Sequence, residues 1–367
     1  MKPPFAGVRL ARPAVRAPIG LDFAGERLNL LQVEPGAQAP VVRAAAALPY
    51  PVDRAALLAD RRRLRGFVRD ALASAPFAGR RVIAALAPAD VRIQSLTVQL
   101  APGESERQAV ARQVREQLGA GKAEESVVDY IPVRGPDGTG PQRQALVAVA
   151  PVRKIVAYLD TLRGVGLDPV ALDVGPAAIA RLLAAMQEDD TQAVILVNFG
   201  ARKSYLSVVS GQGLMLDRQI DFGETQLVDK LANVLRLAPA AALALLREHG
   251  TGDPQARPGA ASHRDMGRAI REILHPQFAT LAEELARTQV YIASRTRGAS
   301  ARRIYLNGNV TRYAHLPDHV AAIAHLPVEV LDPFRAFRLA PGFAPAGNVA
   351  HGIALAAGLA LRGRAHG

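Results

Sequence analysis

The chain has no cysteine and no tryptophan, and aromatic residues make up only 5% of its 367 positions. Without cysteine there is no disulfide, no thiolate metal site and no cysteine nucleophile, which suits a reducing cytoplasm. Among the eight histidines no zinc-type pair is read on one helix; His315, His319 and His325 fall irregularly across a loop–helix region. Neither a Walker A loop nor a G-x-S-x-G elbow occurs. No uncharged apolar run reaches about 18 residues, so no membrane-spanning helix is expected. Lysine is scarce (Lys2, Lys122, Lys154, Lys203 and Lys230), so arginine carries the formal net charge of +12. Arg61-Arg62-Arg63 with Arg65 is the densest basic cluster, and no aromatic residues interleave with the arginines. Stacking platforms for nucleic acid are therefore lacking and no nucleic-acid partner is expected. An anionic membrane surface is the partner this charge suits better.

What is present is an ordinary globular composition, 49% hydrophobic and 21% charged, long enough for two lobes with separate cores. Residues 1–18, with Pro3, Pro4, Pro13 and Pro18, read as a flexible lead-in rather than a signal peptide. Ile19–Glu34 then reads strand, tight turn, strand, with Asp22 ending the first run and Gly25 in the turn. Val194–Val209 repeats that grammar with Asn198, Gly200, Lys203 and Ser204. A third element, Arg303–Thr311, runs an apolar strand into Asn307-Gly308-Asn309, where Gly308 would let the backbone approach a flat ligand. Between the first two elements, residues 88–165 read as strand, charged amphipathic helix, two strands around the loop Gly135–Pro141, and helix. The chain continues with an acidic hinge at Glu188–Gln192 and a mobile loop at Gly250–Ser262. A long helix follows over Met266–Arg297, expected to kink at Pro276, and a terminal helix after about Asn348 returns under the first lobe.

With these pieces in this order, the sequence resembles the actin-like ATPase superfamily. Within it, the chain resembles the PilM family of type IV pilus assembly proteins, relatives of the cell-division protein FtsA. The resemblance spans nearly the whole chain, through Ala148–Pro151, Gly166–Val170, Leu172–Arg181, Asp217–Gly223 and Leu326–Phe334. It implies an α/β, two-lobed actin-like fold with duplicated RNase H-like lobes and a small α+β subdomain inserted in the first. The expected boundaries are 19–190 for the first lobe, with the insert at about 88–165, then 191–340, and a returning segment at 341–367.

In such proteins two β-hairpins clamp the phosphates of ATP and hold hydrated Mg²⁺ through an acidic residue on each. The resemblance therefore assigns cofactor contacts to Asp22, Gly25, Asn198, Gly200, Ser204, Gly223, Gly308 and Asn309. The pattern is damaged: Ala24 replaces a turn glycine, Glu26 adds a negative charge, and Asn198 stands where an aspartate is expected. Beyond Gly223, Ala241-Ala242 and Arg247 occupy the positions of the ribose and base contacts, leaving Lys230 as the substitute. ATP with Mg²⁺ is left open as a cofactor and no catalytic residue is assigned, because losing one magnesium carboxylate costs rate before binding. A plainer reading also stands, in which Asp22 and Asn198 each cap a β-turn through their own backbone.

The resemblance further implies a cytoplasmic adaptor, peripheral to the inner membrane, that holds the N-terminus of a PilN-like bitopic protein. Pilus motor ATPases and the platform protein are further partners it suggests. The peptide groove is expected between the first lobe and its insert, near Arg81, Ile83, Val91, Ile93, Val147, Val149 and Tyr158. An extended peptide adding to a strand edge is the expected mode. The alternatives are an active actin-like ATPase or kinase, and a cytoplasmic component of a type II secretion or related filament system.

Overall fold

The computed structural model describes residues 16–133, 142–186, 192–211, 213–252, 261–347, 349 and 352–363. The expected loop Gly135–Pro141, nearly all of the Glu188–Gln192 hinge, most of the Gly250–Ser262 loop and the first fifteen residues of the lead-in lie outside them. Two sheets with the same strand order organise the rest. In the first, β1 (Ile19–Phe23), β2 (Arg27–Glu34) and β3 (Val41–Pro49) form an antiparallel meander. The parallel strand β4 (Arg81–Ala85) continues it next to β1. Six consecutive buried residues, Leu28–Val33, make β2 a central strand covered on both faces. The connection from β3 to β4 carries α1 (Arg54–Ala59) and α2 (Arg61–Ala73). Asp53 caps α1 by accepting from the Ala55 and Ala56 N–H groups at 2.9 and 3.2 Å.

The insert follows β4. Its elements are β5 (Arg92–Gln99), α3 (Glu106–Leu118), α4 (Ala120–Glu124), β6 (Ser126–Val133), β7 (Gln142–Pro151) and α5 (Val152–Gly164). The strands pair antiparallel in the order β5-β7-β6. A reciprocal Ser105–Gln108 cap opens α3, whose Ala109, Val110 and Val114 pack on one face of that sheet against Leu96, Val98, Val147 and Val149. The short helix α4 has no counterpart in the sequence reading, because five residues are too few to show a period. The chain then re-enters the first sheet as β8 (Asp168–Asp173), parallel to β4 and last in the row.

After α6 (Gly175–Met186) the second sheet repeats the plan. It consists of β9 (Val194–Phe199), β10 (Ser204–Ser210), β11 (Gly213–Ile220), β12 (Arg303–Gly308) and β13 (Val328–Val330). The order β11-β10-β9-β12-β13 matches β3-β2-β1-β4-β8 strand for strand. Its helices are α7 (Glu224–Leu235), α8 (Pro239–His249), α9 (Ala261–Arg295) and α10 (Leu316–Ala324). Helix α9 begins at Ala261, inside the stretch expected to be a loop, and continues through Pro276 as one helix.

The chain rejoins the first sheet through β14 (Arg338–Leu339) and β15 (Ala346–Gly347), both on β3, and ends in α11 (Ala354–Arg362). Small residues let α11 sit between β1 and α6. A Cβ on Gly20 would lie 2.0 Å from the Ala356 carbonyl oxygen, and one on Gly358 would lie 2.0 Å from that of Ala178. A core shared by both lobes forms around α6 and α11, with Leu31 and Val33 from the first sheet and Val194, Leu196 and Val209 from the second. Gly358→Ala is therefore expected to cost about 3 kcal/mol, read as a lowered midpoint in denaturant unfolding, because neither backbone can yield.

Candidate functional site

The residues singled out by sequence fall around two concavities, the cleft between the lobes and a groove beside the insert. In the cleft, Asp22 at the end of β1 faces Asn29 across the hairpin, and Asn29 Nδ2 donates to its Oδ2 at 3.1 Å. The same Nδ2 donates to the Gly352 carbonyl at 3.1 Å, tying the hairpin to the start of α11. Burial pushes the Asp22 carboxyl up to about 6, only partly offset by the Asn29 hydrogen bond and the Arg54 charge. The turn itself is held from outside: Tyr50 OH donates to the Ala24 carbonyl at 2.8 Å, and Arg54 Nη2 to that of Phe23 at 3.1 Å. Nothing lies within 4 Å of a Cβ placed on Gly25.

A carboxyl whose folded value exceeds its unfolded one near 3.8 makes the native state bind the extra proton. The contribution of Asp22 to stability is therefore full below about pH 4 and is lost as pH rises through 6. Asp22→Asn should raise stability at pH 7 by about 1–2 kcal/mol and leave it unchanged at pH 3.5, as measured by urea unfolding at both values.

On the second hairpin Asn198, Ser204 and Lys203 each have a protein partner. Asn198 Oδ1 accepts from Asn307 Nδ2 at 2.9 Å, the two residues being opposite in the β9–β12 register. Ser204 is fully buried; its Oγ donates to the Phe222 carbonyl at 2.6 Å and accepts from the Gly200 N–H at 3.4 Å. Lys203 pairs with Asp221. The first N–H groups of α7 are taken up too, Glu224 N by the Gly200 carbonyl at 3.2 Å and Thr225 N by that of Ala201 at 2.7 Å. Gly223 is glycine because a Cβ there would meet the Ala201 oxygen at 2.7 Å. Gly308, with φ +97°, would carry a Cβ 2.1 Å from the Phe199 oxygen, so its close approach is to protein backbone rather than to a flat ligand.

Asn309 begins a 3₁₀ turn, Asn309–Arg312, and Arg312 bridges the cleft from its end. Arg312 Nη1 lies 3.6 Å from Glu26 Oε2 on the first hairpin, and Nη2 2.7 Å from Glu224 Oε1 at the start of α7. Tyr313 OH donates to the same Glu224 oxygen at 2.5 Å, and the Arg312 guanidinium stands 5.4 Å from the Tyr313 ring centre. Of the substitutes for ribose and base contacts, Ala241 and Arg247 are exposed on α8, Ala242 is buried in the lobe core, and Lys230 is half-buried on α7. His315 caps α10 while His319 stacks on Phe278 with ring centres 3.9 Å apart, and burial lowers His319 to about 4.

The groove, about 420 Å³, runs along β8 between the main sheet and the face of the insert sheet that α3 leaves bare. Alternation decides its lining. Val91 and Ile93 line it as expected, joined by Leu146, Ala148 and Ala150 from β7, Val127 and Ile131 from β6, and Ile155 and Leu159 from α5. The other residues expected near the groove do not line it. Val147 and Val149, one step out of phase with Leu146 and Ala148, point into the insert's own core under α3. Ile83 packs against Ala178 and Leu359. Tyr158 faces the first-lobe core, near enough to Asp22 for that charge, after burial, to help raise its phenol. Arg81, at the start of β4, is exposed and lies outside the groove lining.

At the Asp173 end of β8 the groove is lined by charge. Asp173, 6% exposed, accepts from Arg181 Nη2 at 2.9 Å and Arg362 Nη1 at 3.2 Å, and Arg362 also holds the Leu172 carbonyl at 2.6 Å. Toward the other end, past Pro169 and Val170, stands Arg163. As the last strand in its row, β8 has no strand partner on its outer side among the described residues, and Pro169 fits that edge position. Val127 and Val170, at 47% and 39% exposed, present apolar surface along the opening.

Duplicated sheets of one order, each opening with a hairpin toward a common cleft, and an α+β insert after β4 define a two-lobed protein of the actin-like ATPase fold. The family described as type IV pilus assembly protein PilM matches residues 20–364, and the chain belongs to that family. The solved PilM-PilN type IV pilus biogenesis complex is similar at TM-score 0.73 and 24% identity, over 96% of this chain and 99% of that one. The ethanolamine utilization protein EutJ from Carboxydothermus hydrogenoformans is similar at TM-score 0.50 and 14% identity, over 96% of this chain and 90% of that one. No curated protein sequence matches the chain.

Proposed function

We propose that this PilM-family protein is an adaptor whose groove along β8 holds the cytoplasmic N-terminal segment of a PilN-like bitopic inner-membrane protein. The observation that carries the reading is the groove itself: apolar walls from three strands and a helix beside the unpaired edge of β8. An extended peptide gains backbone hydrogen bonds from such an edge and alternate side-chain pockets from the walls. The likeness to a complex of a PilM with a PilN supports the choice of partner. The protein would then work in the cytoplasm against the inner membrane, and none of its described helices is long and apolar enough to cross that membrane. Calorimetric titration with the first dozen or so residues of a PilN-like protein from the same organism is the test. Micromolar binding is expected, and no heat at millimolar peptide would sink the reading.

The cleft supports the view that this chain is not an ATPase. A hydrated Mg²⁺ between the hairpins would meet one carboxylate, Asp22, which burial shifts toward neutrality, and one amide, Asn198, already bonded to Asn307. The Glu224 and Thr225 N–H groups and the Ser204 hydroxyl are committed to protein carbonyls, and Glu26 would oppose a phosphate. These residues do not fit a magnesium nucleotide. Titration with ATP, with and without Mg²⁺, should show no magnesium-strengthened binding; a micromolar, magnesium-dependent isotherm would overturn this part alone.

A further inference from the structure

The Pro169 end of the groove adjoins the densest basic cluster of the sequence. Arg61, Arg62 and Arg65 are exposed on α2, Arg80 and Arg81 precede and begin β4, and Arg163 ends α5 within the groove lining. Hydrogen bonds draw these elements together. Arg61 Nε donates to the Gly164 carbonyl at 3.2 Å, and Arg80 Nη1 to that of Gly166 at 3.3 Å, so both guanidinium groups converge on the turn between α5 and β8. Three carboxylates stand nearby: Asp60, 3.8 Å from Arg63; Asp160, 3.8 Å from Arg163; and Asp168, beside Arg81 in the strand register. Arg63 offsets the first, leaving six arginines against two acids. Phe67, the aromatic residue of α2, packs inward against Tyr50 with ring centres 5.8 Å apart, so this ring is no platform for a base.

We infer that this arginine surface docks on the anionic headgroups of a bilayer, setting the Pro169 end of the groove toward the membrane. The orientation rests on the adaptor reading above. The other end of the groove carries the Asp173–Arg181–Arg362 network, whose charges an apolar segment would have to cross, so the exit of a segment that continues to a membrane span falls past Pro169 and Arg163. Cationic side chains on that rim then meet acidic lipid where the segment enters the bilayer. Each arginine brought within a Debye length strengthens partition to such a surface by about fivefold.

The test is sedimentation of the full chain with vesicles of phosphatidylcholine alone or with 40% phosphatidylglycerol, at about 0.15 M salt. Arg62→Glu with Arg65→Glu is compared with Arg202→Glu with Arg236→Glu, an equal charge change at exposed positions of the second lobe. Binding to the anionic vesicles only, reduced at least thirtyfold by the α2 pair and little by the control pair, is the expected result. Equal losses in both variants would assign the attraction to net charge and overturn the docking surface, as would absence of vesicle binding by the wild type. Patch-dependent binding to duplex DNA in place of vesicles would also overturn it. Peptide titration of the α2 variant keeps the two readings apart. Retained peptide affinity with lost vesicle binding supports the surface, whereas a wild type that binds vesicles but no peptide overturns only the adaptor reading and the orientation drawn from it.

Discussion

Val127→Asp combined with Val170→Asp is expected to lower affinity for the PilN-like N-terminal peptide by at least 100-fold while leaving the melting temperature within a degree or two of the parent. Both valines are more than a third exposed and both line the groove, one from β6 of the insert and one from the β8 edge. In the free protein the new carboxylates remain in water, so folding loses little. In the complex a peptide on β8 would bury them without a counter-charge, at about 2–3 kcal/mol or more for the pair. The contrasting variant is Val147→Ala. Val147 is fully buried on the other face of β7, so truncation should cost the insert about 2 kcal/mol in urea unfolding yet keep peptide affinity nearly unchanged at low temperature. The reverse pattern would place the peptide on the α3 side of the insert. A proline introduced in the middle of the peptide adds an independent check, because strand addition to β8 requires donors that proline lacks.

That pair of variants also marks how far the sequence could be read. The fold was legible because its signals are local: two apolar hairpins with polar turn residues, and a strand–helix–strand–strand–helix order after β4. The amphipathic helix expected in that order is α3, whose Ala109, Val110 and Val114 share one buried face. Which face of a strand meets which neighbour was not legible. Val147 and Leu146 are equally apolar, and only the placement of α3 decides that one packs inward while the other lines the groove. Tyr158 lies outside the groove for the same reason, since Ile155 and Leu159 share its helix and the groove takes the neighbouring face. In the cleft the backbone-holding residues were visible only in hindsight. Asn29, a polar residue inside the apolar run of β2, is the signal that a buried carboxylate partner was near. Nothing in spacing points to Arg312, whose role depends on two elements 286 and 88 residues away closing on it.

Arg312 supplies the second large effect. Its guanidinium joins Glu26 of the first lobe to Glu224 and Tyr313 of the second, where the two hairpins face each other. Two contributions must be separated. The Glu26 arm is long at 3.6 Å and its carboxylate is 48% exposed, so by itself it is worth less than about 1 kcal/mol. The Glu224 arm is short and that carboxylate is only 14% exposed. Removing the cation leaves a part-buried charge beside a phenol, a loss of about 3 kcal/mol. Arg312→Ala should therefore destabilise the second lobe strongly, and Glu26→Gln should leave global stability within about 0.5 kcal/mol. Both variants break the link across the cleft. Hydrogen exchange is then the discriminating measurement: amides of the 23–26 turn should exchange faster in Glu26→Gln although its unfolding midpoint is unchanged. If the turn stays protected, the lobes are held by the shared core around α6 and α11 alone, and the ion pair is incidental. If it opens, the chain uses a protein cation in its cleft to draw the hairpins together. Glu26, out of place beside a phosphate, then has a structural reason to stand in the turn.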